Sequence, residues 1–145
     1  MNPKDIIDYA RQLKKKFCTN DPYTIAEYYG IKIIHRDTPI RDFTAYTIKQ
    51  PGYPTFISIN NAYTDFSQKL LCAHELGHAI LHEDGINHFN VTAKNLYTNS
   101  EQEANMFALA LMFENNIDKK LTVPLASMNN YLLKTIIENN LEFKN

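Results

Sequence analysis

The chain has 145 residues, 44% of them hydrophobic and 12% aromatic, which fits one folded domain over 1–145 and excludes a disordered chain. A formal net charge of −1 leaves no electrostatic footprint for direct nucleic-acid binding or for an anionic membrane surface. No apolar run reaches the ~18 residues that a bilayer span needs. The opening MNPKDIIDYARQLKKKF lacks a signal-peptide core, and two cysteines make no disulfide framework, so the expected compartment is the cytoplasm.

Residues 4 to 17 carry Ile6, Ile7, Ala10, Leu13 and Phe17 at near-helical spacing, with the basic run RQLKKKF expected on the solvated face. A second, short helix is predicted to open at Asp21-Pro22 and to stop at Gly30. Three strand-like runs follow, at 31–34, 43–48 and 55–59, and the Pro-Gly signal in KQPGYP pairs the last two as a hairpin. From Ser67 to about His82 the apolar residues wrap almost all the way round a helix, the pattern of a central, buried one. Further helices are predicted from about Ser100 to Phe113 and over 126–139. Helices, then strands, then helices reads as an α+β fold with a small, mostly antiparallel sheet packed against a helix bundle. The run TFISI is expected near the sheet edge beside the cleft, where it would bind an extended peptide by strand addition.

The central helix carries CAHELGHAILHEDG. His74-Glu75-Leu76-Gly77-His78 has the H-E-x-x-H pattern, and residues four apart on a helix share a face at ~6 Å axial separation. Two imidazoles so placed converge on one ion, zinc being the expected one, although another divalent metal suits similar donors. Glu75 lies ~100° round from His74, placed to take a proton from an attacking water without ligating the ion. The bland alternative, two satisfied core histidines and a solvated glutamate, does not account for three histidines on a buried helix. His82 lies ~12 Å along the axis from His74 and has no glycine before it to turn the chain back, so it is read as a supporting or helix-end residue. Cys72, ~160° round from His74, reads as a packed thiol.

The third ligand is expected to be a carboxylate from the helix after Ser100, which offers Glu101 and Glu103. At ~100° per residue, Glu103 falls among Phe107, Ala110 and Met106, inside the apolar stripe, where burial without a cation would be costly. Glu101 falls beside Asn105 and Met112 on the side expected to face water, and completes a capping box with Thr98. Glu103 is therefore the expected ligand and Glu101 the alternative.

LCAHELGHAILH followed by EQEANMFALALM resembles the ImmA/IrrE family of zinc metallopeptidases, and the likeness covers roughly residues 22 to 113. The resemblance implies a zincin-like, gluzincin-type site with His74, His78 and Glu103 as ligands and Glu75 as catalytic base. It also implies a site-specific endopeptidase whose substrate is a helix-turn-helix (Xre-like) repressor, an anti-repressor role in a prophage or mobile element. Two rival readings are a catalytically silent, partner-binding protein on the same fold and a DNA-binding module. TIAEYYGIKI resembles the opening of a helix-turn-helix, but the β-branched IKIIHRDTPI that follows is a poor recognition helix. Oxyanion stabilisation is open to His88 or to one of the nine tyrosines.

Overall fold

The computed structural model describes residues 3–39, 44–82, 85–88 and 99–113. The helix expected over 126–139 lies outside them. The elements run α1 (Pro3–Phe17), α2 (Pro22–Tyr28), β1 (Lys32–Arg36), β2 (Ala45–Lys49), β3 (Phe56–Asn60), α3 (Asp65–Leu81), β4 (Gly85–His88) and α4 (Asn99–Met112). This is an α+β fold whose small sheet is mixed but mostly antiparallel.

Local chemistry sets most boundaries. Asp21 caps α2 by accepting from the Tyr23 backbone N–H at 3.0 Å, and Pro22 sits where its missing N–H costs nothing. Thr64 caps α3 in the same way, accepting from Ser67 N–H at 3.3 Å. Between β2 and β3 the chain turns at Pro51-Gly52, with Tyr53 N–H donating to Gln50 C=O at 3.2 Å. Gly52 has φ +79, the positive value that the third position of a type II turn demands.

The strand order is β1-β3-β2-β4. β3 pairs parallel with β1 and antiparallel with β2, while β4 pairs antiparallel with β2. The expected hairpin is present, but the expected position of TFISI is corrected: β3 lies between two strands and offers no edge. Its last four residues, Ile57 to Asn60, are all buried, as a central strand requires. β4 is an edge that the sequence reading did not foresee.

α3 runs through the centre, packed on β2 and β3 on one side and on α4 on another, and α1 packs on α4. Residues Leu70 to Ala79 are all buried. Cross-strand register puts Ala45, Thr47, Ile57 and Ile59 on one sheet face, and the hydrogen bonds of Thr47 to α3 show that this face meets the helix. The basic run of α1 is only partly solvated. Lys15 and Lys16 are exposed, but the Lys14 ammonium donates to Phe113 C=O at 2.7 Å. Asn20 Nδ2 donates to Met112 C=O at 3.0 Å, so two side chains from the N-terminal region cap the end of α4.

The two cysteines have opposite environments. Cys18 is exposed, whereas Cys72 is buried, and burial, followed by the nearby charges of Asp21 and Glu75, pushes its thiol well above the ordinary value. In a thiol-labelling assay, Cys18 should react at once in native protein and Cys72 only after denaturant is added. Rapid labelling of both would contradict the burial of α3.

Candidate metal centre

Two helices build the site. On α3, the four-residue spacing brings His74 and His78 together with ring centroids 4.8 Å apart and planes at 81°. Both side chains are fully buried. From the first turn of α4, Glu101 reaches between them: its Oε2 lies 3.1 Å from His74 Nε2 and its Oε1 3.2 Å from His78 Nε2. One ligand atom from each residue lies within 4.8 Å of the other two, an arrangement that can hold a metal ion.

The structure therefore brings Glu101 to the histidines, and the expectation for Glu103 is corrected. Glu103 lies half-buried beside Gln102 and faces His82 instead, at 3.4 Å. α4 has no single apolar stripe that would turn Glu103 inward. Every residue from Ala104 to Phe113 is buried, so its apolar residues cover all sides, and the wetter side of its first turn is that of Gln102 and Glu103. The usable signal was Asn105. It follows Glu101 by four residues and shares its face, a stacked polar pair in an apolar helix that matches the pair on α3.

Asn105 completes the support of His74: its Oδ1 lies 2.6 Å from His74 Nδ1. A proton on Nδ1 donated to that oxygen leaves Nε2 as the atom that presents a lone pair to an ion. The three groups influence one another strongly. Burial opposes ionisation of Glu101, but hydrogen bonds and charge from His74 and His78 outweigh it and hold the carboxyl well below the ordinary range. Burial also opposes charge on His74, yet Glu101 and then Glu75 draw its value upward. His78 goes the other way, to about 4, through burial and the neighbouring His74 charge. A carboxylate and two imidazoles kept dry in this way form a donor set suited to a divalent transition ion.

Glu75 is buried one residue from His74 and is not among the converging donors. The Thr47 hydroxyl from β2 makes a short hydrogen bond to its Oε2 and lies 3.3 Å from its backbone carbonyl. A strand thus helps to fix the carboxylate beside the histidines. His82 closes α3 as its C-cap, and Lys49 of β2 donates to the carbonyls of Ala79 and His82 at 2.9 and 3.1 Å.

Gly77 sets the distance between the two helices. A Cβ there would lie 3.2 Å from Ala104 Cα, 3.2 Å from Phe107 Cδ1 and 3.3 Å from the Ala104 carbonyl oxygen. Two of these are backbone atoms and cannot rotate away. Gly77→Ala would gain about 0.5–1 kcal/mol of helix propensity and lose about 1–3 kcal/mol to overpacking. The expected net result is a modestly lower melting temperature, with α4 pushed outward. A variant more stable than the parent would show that the helices can separate freely.

An H-E-x-x-H helix joined by a carboxylate from a later helix, on an α+β scaffold, defines a zincin-like architecture. The chain belongs to the peptidase family described as the IrrE N-terminal-like domain, whose model matches residues 26–120. It is also similar to the "Uncharacterized immunity region protein 2" of Bacillus phage phi105, with 32% identity over 109 residues. That match covers 71% of this chain, and the chain spans 65% of the length of the phage protein. No solved structure matches the chain. Among the described residues, no helix is long and apolar enough to cross a membrane.

Proposed function

We propose that the protein is a zinc-dependent, site-specific endopeptidase, with His74, His78 and Glu101 as metal ligands and Glu75 as general base. The observation that carries this reading is the convergence of those three donors beside a carboxylate that Thr47 holds in place. A purely structural site needs no such base, and structural zinc is usually closed by four protein ligands. When bound, the ion supplies Lewis acidity toward a substrate carbonyl. Glu75 takes the proton of the attacking water and delivers it to the departing amine. Thr47, by donating to one carboxylate oxygen, keeps that group in a single orientation for both transfers. Asn105 holds the plane of His74, and the packed α3–α4 contact at Gly77 keeps Glu101 at its station.

The substrate we infer is a helix-turn-helix repressor in the cytoplasm. Two findings support this class: membership of the IrrE N-terminal-like peptidase family, and similarity to a protein named for a phage immunity region. A broadly specific protease in the cytoplasm would damage its host, so selectivity is expected to come from docking contacts away from the scissile bond. The test is co-expression with candidate helix-turn-helix repressors of phage immunity regions, followed by mass analysis of the fragments. Cleavage at one bond is the expected result. An intact repressor together with many cuts in an unfolded protein such as casein would reject the regulatory reading and retain the peptidase.

A further inference from the structure

His82 and Glu103 are not among the converging donors, yet they touch one of them in series. His82 Nδ1 lies 2.8 Å from His78 Nδ1, and His82 Nε2 lies 3.4 Å from Glu103 Oε1. Two ring nitrogens at 2.8 Å must share one proton, one donating and the other accepting. A carboxylate only accepts, so Glu103 favours a proton on the His82 Nε2 that faces it. His82 then offers the lone pair of its Nδ1, and His78 must supply the shared proton from its own Nδ1. That leaves His78 Nε2, the atom beside Glu101, as the lone-pair nitrogen. Glu101 faces His78 Nε2 at 3.2 Å just as Glu103 faces His82 Nε2, so the two carboxylates pull the shared proton in opposite senses; the assignment is that of the metal-binding form, in which His78 Nε2 has to be free of a proton.

We propose that Glu103 and His82 form a positioning relay that fixes the tautomer and ring plane of His78 for metal binding. His82 and Glu103 are positioning residues in this chain, not ligands. The proposal rests on the metal-site reading above. It makes the two ligand histidines symmetric in logic and different in parts: Asn105 supports His74 directly, whereas His78 is supported through a second imidazole by a partly buried carboxylate. The 3.4 Å contact is an ion-pair distance and not a hydrogen bond, so the outer link is electrostatic and the weaker one.

The test is the affinity of metal-free protein for Zn2+, measured by competition with a chromogenic chelator. His82→Leu should weaken binding by about 10–100-fold, the usual effect of losing such support. His82→Asn keeps an acceptor near the place of Nδ1 and should recover most of the affinity. Glu103→Ala should cost several-fold in the parent and nothing further in either position-82 variant, because its effect passes through the imidazole. If His82→Leu does not fold, the same cycle is run on His82→Asn. Parental affinity in His82→Leu, or a Glu103→Ala loss that persists without the imidazole, overturns the relay and leaves the metal site standing. A parent chain that binds no Zn2+, with Glu101→Gln indistinguishable from it, overturns both readings.

Discussion

Replacing Glu75 with glutamine should lower the rate of the proposed peptide cleavage by about 10²–10⁴-fold, the span that a positioned proton acceptor contributes. Metal content and melting temperature should stay as in the parent. Glutamine has the shape of the carboxyl group it replaces, and its carbonyl oxygen still accepts the Thr47 hydroxyl that holds Glu75 in place. Glu75 is also outside the cluster of converging donors, so the ligand set is untouched. Only the capacity to take a proton is lost. The measurements are initial cleavage rate, metal per chain by elemental analysis and thermal unfolding. A variant that keeps its metal and cleaves within tenfold of the parent would remove Glu75 from the chemistry. One that loses the metal would show that Glu75 helps to hold it.

The second large effect belongs to Glu101. Glu101→Gln should weaken Zn2+ binding by more than the ~100-fold that loss of an outer-shell partner reaches, because it removes the negative charge from the donor set itself. Glutamine keeps the length of the side chain and can still meet His74 Nε2 and His78 Nε2, which lie 3.1 and 3.2 Å from the carboxylate oxygens, so the helix pair should remain folded. Glu103→Gln should stay within the smaller range. Chelator competition on the two variants side by side decides the matter. The opposite ranking would mean that α4 is rotated, with Glu103 turned inward.

That ranking also shows where the sequence was readable and where it was not. The α3 helix and its H-E-x-x-H pair were legible because both signals are local: a four-residue spacing, and apolar residues on every side of one segment. The hairpin was legible for the same reason, since Pro51-Gly52 leaves little choice of turn. The order of the strands was not. Local pattern says that 55–59 is a strand, but its neighbours are decided by which partners fit, and β3 gained β1 from the far side of the hairpin. The near-continuous apolar character of TFISI is that of a central strand, not of an edge. β4, four residues long, is too short to show a period. The choice between Glu101 and Glu103 was a question of helix rotation against a partner. A helix that is apolar on all sides carries little information about its own rotation, and only Asn105 marked the face.

The hydrogen bonds at the far end of α4 have a consequence for the site. Lys14 and Asn20 hold the last carbonyls of the helix that carries Glu101 in its first turn. A helix of 14 residues behaves as a stiff lever at this length. Glu101 is therefore in register with His74 and His78 only in molecules whose α4 is seated on α1 and α3. Were α4 to lift from these contacts, the apparent affinity for an ion would equal the intrinsic one multiplied by the seated fraction. The N-terminal helix, which contributes no donor, would then act on the site through that fraction. An ion bound there would in return bias α4 toward its seated state, by the same factor.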